Sequence, residues 1–568
     1  MRARAAIFPA FLTFLTLTQA IVMPSARSQP GPGEQGSGPT QLDEVNVTAR
    51  REFENRFNST GARVTIGRRD IEVMGANTIG DILRQTPGLQ VTTTANGGLE
   101  IRMRGMGAEN TRIMIDGVAV STSNRTSQLP LDELPADLIE RVEVIRAPTA
   151  EFQGVAGGTL NIVLRAASAK RETYIWLSDQ YVWGHNAAQM FFSTTGPLGA
   201  TKAGKPTEED LKASSWSYFG SLTAGPRNLG SDTARLATAS NTPASTVNYV
   251  DQLRLRNTFW TLLPRINGRI GPSDKITLRG TFSGTDQVGA ANSQGVGINA
   301  IANSFTRDAL NSWTYERSFY QLGLDWSHSF KDSKWDSTVQ AERSRNQTEA
   351  TSNSLTTPTS PPGPSVNSSG NFDDIRRERA LYINSKWTRS IESNLLTFGG
   401  EFDRRTLEVE SLTNLAGTAN PANVQAATTR SALWSQYELP LEKWKTTMVF
   451  GLRAQDYAID SIANGTPLNY QRLFWQPSIN TRTALDDSTQ FRWNLAKISR
   501  NPRVWELSSA RLPNLNPNSP NSADFQGNPN LKPETTVTLD CKKPQLAIRP
   551  LARAAGQCRG CVYMGDRI

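Results

Sequence analysis

Residues 320–330, Tyr-Gln-Leu-Gly-Leu-Asp-Trp-Ser-His-Ser-Phe, alternate large apolar or aromatic side chains with small or polar ones. Because neighbouring side chains of a β-strand point to opposite faces, this period of two predicts a strand with one apolar and one polar face. The same alternation recurs at residues 276–282, 447–453 and 491–495. The sequence therefore predicts a mainly β protein.

Two architectures contain strands of this kind: a soluble β-sandwich, and a transmembrane β-barrel with an apolar outer face and a polar interior. Hydrophobic residues make up 37% of the chain and the mean hydropathy is −0.44. These values exclude a helical membrane protein, whereas a barrel needs only one apolar face per strand. The 13 Trp, 11 Tyr and 21 Phe residues suit aromatic girdles. Polar stretches such as residues 351–374 are too long for hairpin turns, and we expect them to form external loops.

The net charge of +9 does not indicate nucleic-acid binding, because Lys and Arg are scattered along the chain. No Ser/His/Asp set, paired carboxylates or phosphate-binding loop stands out, so we expect neither an enzyme nor a cofactor. Cys541, Cys558 and Cys561 have no second pair of ligands nearby, so no metal site is expected. Of the two histidines, His185 and His328, the second lies on an alternating strand, which disfavours haem as a ligand.

The N-terminus predicts export. A positively charged start precedes a largely apolar stretch at residues 5–22, and positions 26 and 28 carry the small residues that a signal peptidase requires. We therefore expect a signal peptide at residues 1–28, cleaved before Gln29.

Residues 29–52 predict a flexible tether, since residues 29–40 are mostly Gly, Pro, Ser and Gln. A short segment rich in β-forming residues follows. Such a segment on a disordered arm can add itself as a strand to the sheet edge of a partner. Its residues are Leu42, Asp43, Glu44, Val45, Asn46, Val47, Thr48 and Ala49.

Residues 53–165 have the mixed pattern of a small α/β domain. A short amphipathic helix at residues 81–85 stops at Pro87-Gly88, and Asp116-Gly117 predicts a tight turn. A helical turn is expected at residues 135–139. Strands are expected at residues 100–105, 112–117, 142–145 and 160–164.

Several segments of the chain resemble, in the correct order, the motifs of TonB-dependent receptors of bacterial outer membranes. Residues 42–49 resemble the TonB box. The plug motifs are matched by residues 81–89, 101–105, 114–118, 139–148 and 157–162, and two barrel motifs by residues 499–502 and 527–534. Departures are Ala147, where the family usually has Gly, and the bulky Met103.

The resemblance implies a plug domain at residues 53–165 inside an antiparallel transmembrane barrel in the outer membrane of a Gram-negative bacterium. It also implies energy-coupled uptake of a ferric siderophore, with TonB, outer-membrane lipid and the siderophore as partners. The alternatives are uptake of cobalamin, haem or a carbohydrate, surface binding or signalling without transport, and a non-functional truncated copy. A lumen enclosed by about 22 strands would leak unless it were plugged.

By this resemblance, charged side chains on the plug strands hold the plug against carboxylates of the barrel's inner face. The candidates are Arg102, Arg104, Glu140, Arg141, Glu143 and Arg146. The alternative is that they are merely solvated, where an ion pair contributes about 1 kcal/mol or less. We favour anchoring for Arg102 and Arg104, and the role of the acidic residues stays open.

The alternation ends at residues 536–540. Residues 541–568 have no alternation and no aromatic residue at the C-terminus. We count about a dozen strands in residues 166–540, fewer than the roughly 22 of a plugged transporter. We therefore expect a truncated or frameshifted member of the family, with a partial barrel and an aberrant tail. Open sheet edges in lipid would cost several kcal/mol per unpaired backbone group.

Overall fold

The computed structural model describes residues 63–93, 99–120, 134–152, 155–168, 170–198, 216–239, 245–299, 303–415, 417–486, 489–508 and 526–542. The predicted signal peptide, the tether with residues 42–49, and Cys558 and Cys561 lie outside these ranges. No helix within them is long and apolar enough to cross a bilayer.

The N-terminal domain, which we call the plug, is a five-stranded mixed sheet with the order β1-β6-β7-β4-β5, next to a β2–β3 hairpin and two helices. Strand β4 runs parallel to β7, and the other pairs are antiparallel. The elements are β1 (Arg63–Gly67), α1 (Arg68–Met74), α2 (Ile79–Gln85), β2 (Leu89–Thr93), β3 (Leu99–Met103), β4 (Thr111–Ile115), β5 (Val118–Ala119), β6 (Ile139–Ile145) and β7 (Gly158–Leu164).

Helix α2 contains the predicted helix and begins two residues before it. Thr78 caps its N-terminus: Asp81 N–H donates to Thr78 Oγ1, and Thr78 N–H donates to Asp81 Oδ2 at 3.0 Å. Such a reciprocal pair satisfies two backbone donors that the helix leaves unpaired. Ile82 and Leu83 are fully buried, so the apolar face of α2 forms part of the plug core.

The rest of the described chain forms one sheet of fourteen antiparallel strands, each paired with the next in sequence. Its strands are β8 (Glu172–Val182), β9 (His185–Leu198), β10 (Trp216–Ala239), β11 (Ser245–Ile270), β12 (Asp274–Asn299), β13 (Ser304–Ser329), β14 (Ser333–Ser360), β15 (Val366–Ile391), β16 (Asn394–Leu415), β17 (Thr418–Leu441), β18 (Thr446–Ala463), β19 (Thr466–Ala484), β20 (Gln490–Arg500) and β21 (Glu534–Lys542). A short helix, α3 (Val504–Leu507), precedes β21. In the described ranges β8 and β21 are not paired with each other, so this sheet is an open meander and not a two-sheet sandwich.

The two faces of the large sheet confirm the predicted alternation. Leu322 and Leu324 are 55% and 45% exposed on the outer face. Arg279 and Arg453, on the opposite face, are 6% and 1% exposed. Apolar side chains thus face outward, and polar side chains line an inner wall. The plug core continues into this wall through Phe191.

The prediction of a loop at residues 351–374 is wrong. Strands β14 and β15 are 28 and 26 residues long and continue through most of this stretch, joined by residues 361–365. Residues 351–374 are mostly polar on both faces, so they pair with the neighbouring strand without giving an alternating signal. We call the end of the sheet at which residues 361–365 join β14 to β15 the hairpin end. The opposite end, at which residues 330–332 join β13 to β14, is the turn end.

Two predicted limits of the barrel also differ from the structure. The sheet has fourteen strands where about a dozen were expected. Strand β21 continues to Lys542, so Cys541 belongs to a strand and not to the predicted tail. Cys541 lies opposite Trp493 in this register. The last residues of β21 are part of the strand because they pair with β20, and not because they continue an apolar pattern.

Candidate functional site

Several buried charged side chains lie where the plug contacts the inner wall. On β16, residues 401, 403 and 405 share the inner face because side chains alternate along a strand. Arg430 Nη2 on β17 lies 2.6 Å from the Glu401 carboxylate, and Arg453 Nη2 on β18 donates to it at 2.8 Å. Arg112 of the plug lies 3.8 Å from the same carboxylate. One buried wall carboxylate therefore links the plug to three strands.

A second centre of this network is Arg405. Its guanidinium lies 3.1 Å from Asp403, 3.4 Å from Glu378 and 3.7 Å from Glu342. Its Nη2 also donates to the backbone oxygen of Ala119 in the plug at 3.2 Å. Buried charges destabilise a fold unless partners compensate them. Here arginines and carboxylates balance: Arg112, Arg405, Arg430 and Arg453 against Glu342, Glu378, Glu401 and Asp403.

Arg112 is the plug's contribution to this network. Burial, together with the charge of Arg430, lowers the pKa of Arg112 to about 10, against the opposing effect of Glu401. The guanidinium still carries its charge at neutral pH. Its attachment to Glu401 is therefore electrostatic across the physiological range.

Asp116 forms a second link between plug and wall. Asp116 and Gly117 have φ values of 49° and 81°, which match the type I′ turn predicted between β4 and β5. Oδ1 of Asp116 accepts from Leu164 N–H at 2.9 Å. Oδ2 accepts from Arg265 on β11 and lies 4.0 Å from Arg279 on β12. The turn thereby directs one carboxylate onto two wall arginines.

The segment after β6 forms a third link. Glu151 lies 2.7 Å from Lys386 Nζ on β15, and the backbone oxygen of Ala150 accepts from Arg453 Nη1 at 3.3 Å. A Cβ added to Gly451 on β18 would lie 3.0 Å from the Cβ of Ala150. Glycine at 451 thus leaves room for the plug backbone to lie against the wall.

Arg104 and Arg146 are the predicted site residues nearest to β21. Arg104 Nη2 lies 2.8 Å from Asp540 Oδ2 and donates to the backbone oxygen of Arg146 at 3.0 Å. Arg146 Nη2 donates to the backbone oxygen of Pro87, within the plug, at 2.9 Å. Burial and the neighbouring charge of Arg104 lower the pKa of Arg146, against the effect of Asp540. Of this pair, the side chain of Arg104 contacts the wall directly.

The other predicted site residues have their recorded contacts inside the plug. Arg102 is 44% exposed and lies 2.7 Å from Glu100 on its own strand. Arg141 Nε donates to Glu143 at 2.8 Å, and Glu140 is exposed. The structure therefore brings only one of the six candidate side chains into an ion pair with the described wall.

Glu143 is buried within the plug sheet. Burial alone would raise the pKa of Glu143, but the charge of Arg63 and the hydrogen bonds from Arg141 and Asn161 hold it below its ordinary value. Asn161 Nδ2 donates to Glu143 at 2.9 Å, and Asn161 Oδ1 accepts from Gly117 N–H at 3.0 Å. Glu143 thus supports the Asp116-Gly117 turn from inside the plug.

Sequence reasoning missed Asp116 and Arg112 as contact residues. Asp116 was noted only for its turn, and Arg112 only as part of a strand. On the wall, Arg279 and Arg453 fell on the polar face of alternating segments, which is a signal for a side chain that points inward. Their partners lie on distant parts of the chain, so alternation alone does not identify them.

A cavity of about 240 Å³ lies between the plug, the wall and α3. Val120 contributes the plug side and Trp505 the α3 side. The remaining lining combines cationic, acidic, aromatic and small apolar side chains: Ala119, Glu378, Asp403, Arg405, Leu407, Ala426, Thr428, Arg430, Tyr457, Arg503 and Val504.

The two predicted barrel motifs meet around α3. Arg500 Nη1 lies 3.0 Å from Glu506, and its Nε lies 3.2 Å from Glu534. Asn528 N–H donates to the backbone oxygen of Glu506 at 2.7 Å. A Cβ added to Gly527 would lie 2.2 Å from the backbone oxygen of Trp505. Residues 499–502 and 527–534 thus hold α3, one side of the cavity, in place.

Two family models match the chain in the order of these two parts. The TonB-dependent receptor plug domain matches residues 55–159, and the β-barrel of TonB-dependent receptor-like proteins matches residues 260–540. The chain belongs to the TonB-dependent receptor family. Both the plug and the sheet that contacts it are therefore parts of a receptor architecture.

Two curated receptors are similar in sequence. The chain is 24% identical to the ferrienterobactin receptor of Escherichia coli K12, in an alignment that covers 82% of this chain and 63% of that receptor. It is 33% identical to the ferric enterobactin receptor of Pseudomonas aeruginosa over 186 residues, which cover 29% of this chain. The chain thus spans less than two thirds of either relative's length.

Two solved structures share the fold. The alcaligin outer-membrane receptor FauA of Bordetella pertussis has a TM-score of 0.50 at 12% identity, over 86% of this chain and 68% of that one. The ferric yersiniabactin uptake receptor FyuA of Yersinia pestis has a TM-score of 0.51 at 12% identity, over 86% and 70%. At this identity the similarity establishes the architecture of plug and antiparallel strands.

Proposed function

We propose that this chain is an outer-membrane receptor that binds a ferric siderophore from the hairpin end and imports it with energy delivered through TonB. The cavity between the plug and α3 carries the proposal. On β16, its lining residues Arg405 and Leu407 lie further toward the hairpin end than Glu401, which attaches the plug. A ligand arriving from the hairpin end would therefore reach the cavity before the plug blocks its way.

The cavity lining suits an anionic ligand with aromatic groups. Arg503 supplies a guanidinium group that binds oxyanions, and Tyr457 and Trp505 supply aromatic faces. Arg405 and Arg430 also line the cavity, but wall carboxylates already balance their charges. A ferric catecholate combines both properties, because its phenolate charges outnumber those of the iron. The two curated relatives are named as receptors for such a ligand. The volume of about 240 Å³ is smaller than most ligand sites, so we expect part of the ligand to remain in the space above it.

Import requires the plug to move or rearrange, since its links to the wall close the passage. Outside the reach of ATP, the work must come through a partner. Residues 42–49 could supply the attachment point by adding a strand to the sheet edge of TonB. The plug would then be pulled against the links at Arg112, Asp116 and Glu151.

Ligand binding can be tested with ferric enterobactin and the full chain in detergent. We expect Arg503→Gln and Trp505→Ala each to weaken binding about tenfold or more, since each removes a cavity contact. Arg254→Gln removes a charge that is already paired with Asp232 and serves as the matched control. Equal affinity in all three variants would place the ligand elsewhere.

The ligand class needs a separate test. Uptake of radioactive iron as a siderophore complex, cobalamin, haem and an oligosaccharide can be compared in cells that lack their own receptors. We expect uptake of the iron complex alone. Expression should also rise under iron limitation, and constant expression would count against siderophore uptake.

A further inference from the structure

Four arginines form a compact patch on the outer face of β14 and β15. Gln340 and Ser344 are buried at even-numbered positions of β14, so the odd-numbered positions point outward. Arg343 lies directly opposite Arg379, and Arg345 lies directly opposite Arg377. We call Arg343, Arg345, Arg377 and Arg379 the arginine patch.

The charges of the patch are mostly uncompensated. Arg377 pairs with Glu410 at 2.7 Å, and Arg345 Nη2 donates to the amide oxygen of Gln347 at 3.2 Å. Within the described part of the chain, Arg343 and Arg379 have no recorded hydrogen bond or ion pair. Like charges directly opposite one another destabilise a sheet. The repulsion is therefore present unless an anion from outside the chain neutralises it.

The patch lies at the edge of the apolar band. Toward the turn end, Val339 and Leu381 are 42% and 41% exposed, and Trp335 is 42% exposed near the end of β14. Trp335 and Arg343 are eight residues apart, about 27 Å along a strand and about 20 Å across a bilayer at a 40° tilt. The apolar band of an outer-membrane barrel is roughly 25 Å tall. Measured from Trp335, the arginines therefore lie close to the far edge of this band, next to the lipid headgroups.

On these two strands the opposite charge begins two rows further toward the hairpin end, after the row of Gln347 and Ile375. On the next strand, β16, Glu408 lies directly opposite Arg377. Glu349 and Asp373 lie opposite one another on the same two strands, and both are exposed. A partner that fits this surface must place acyl chains beside Leu381 and negative charge beside the arginines. It must also stop short of Glu349 and Asp373. An anionic lipid has this shape.

We propose that the arginine patch binds the phosphate groups of an anionic lipid in the membrane leaflet at the hairpin end. The guanidinium fork matches phosphate oxygens in pairs, and basic residues beside a bilayer bind anionic headgroups. The inference rests on the membrane placement in the proposed function.

The experiment uses the full chain in neutral detergent micelles, titrated with diphosphorylated lipid A. Each lost charge should weaken binding about fivefold, so Arg343→Gln with Arg379→Gln should weaken it roughly 25-fold. Arg235→Gln with Arg254→Gln removes two exposed arginines that already pair with Asp251 and Asp232. We expect this control to bind like the parent chain. Equal losses in both double variants would overturn the proposal.

Two competition measurements test whether the bound phosphate group belongs to a lipid or to inorganic phosphate. Phosphatidylcholine should not compete for the patch, and inorganic phosphate at the lipid concentration should not displace lipid A. Displacement by inorganic phosphate would overturn the assignment to a lipid. If the double variant does not fold, the single variants Arg343→Gln and Arg379→Gln should each lose about fivefold, and unchanged affinity in both would refute the site.

The same preparations distinguish this inference from the proposed function. We expect ferric enterobactin binding to be unchanged by Arg343→Gln with Arg379→Gln. If Arg343→Gln with Arg379→Gln leaves both lipid binding and siderophore binding unchanged, the lipid site alone is refuted. Lipid binding that depends on the arginines, in a chain that binds no siderophore, would refute the proposed ligand alone.

Discussion

Arg265 on β11 and Arg279 on β12 lie directly opposite one another on the inner wall, and the carboxylate of Asp116 in the plug lies against both. Two facing arginines repel each other unless an anion lies between them. Asp325 on β13 lies 2.9 Å from Arg279 and balances one of these charges, so the plug supplies the carboxylate for Arg265. Seating the plug removes a repulsion as well as forming an ion pair.

We predict that Asp116→Asn loosens the plug. Asn tolerates the left-handed backbone of the turn but leaves Arg265 without its carboxylate, whereas Arg279 keeps Asp325 at 2.9 Å. Removing one partner of a buried pair costs about 3 kcal/mol. Urea unfolding of the plug in detergent measures this loss. Glu100→Gln, in an exposed pair within the plug, should cost about 1 kcal/mol or less, and an equal loss in both variants would contradict the prediction.

We predict that Arg104→Gln weakens the attachment of the plug whereas Arg102→Gln does not. Arg104 pairs with Asp540 on β21, while Arg102 pairs with Glu100 on its own strand. The partly exposed Arg104 pair should contribute about 1 kcal/mol. Protease release of the plug at increasing urea compares the two variants, which remove the same charge two positions apart. Identical release curves would argue against anchoring by Arg104.

We predict that acid destabilises the plug through Glu143. The folded pKa of Glu143 lies below its unfolded value of about 4.3. Its contribution is therefore complete above that unfolded value and is lost as pH falls through the folded pKa. The urea concentration at the midpoint of unfolding should therefore decrease as the pH is lowered through this range. Glu143→Gln should make this decrease smaller. Glu140→Gln, at an exposed position of the same strand, should leave it unchanged. Parallel curves for all three proteins would exclude Glu143 as the cause.

We predict that Val45→Pro or Val47→Pro abolishes uptake while ligand binding at the cell surface remains. Pro lacks the backbone N–H that strand addition requires, and it interrupts an extended run. Val45→Ile and Val47→Ile keep both properties and should transport normally. Uptake of a radioactive ferric siderophore, measured beside surface binding, separates the two steps. Normal transport in both Pro variants would place energy coupling elsewhere.

Local patterns predicted much of the fold because they depend on near neighbours. The alternation at residues 320–330 identified a strand with an outer and an inner face, and Asp116-Gly117 identified a turn. The long hairpin of β14 and β15 escaped prediction because its residues are mostly polar on both faces. Backbone pairing between β14 and β15 keeps those residues in strands. Backbone pairing does not require alternating apolar side chains, so the sequence does not reveal it.

The sequence by itself determined that the chain is mainly β, which face of the alternating segments is apolar, and that charged residues lie on the plug. Only the tertiary structure decided which of those charges contacts the wall. Arg102 and Arg104 have the same parity, but β3 ends at Met103 and Arg104 adopts a φ of 57°. This turn redirects its side chain toward Asp540, 436 residues further along the chain. Such a partner is chosen by strand register across the whole sheet, because an ion pair requires proximity in space and not in sequence.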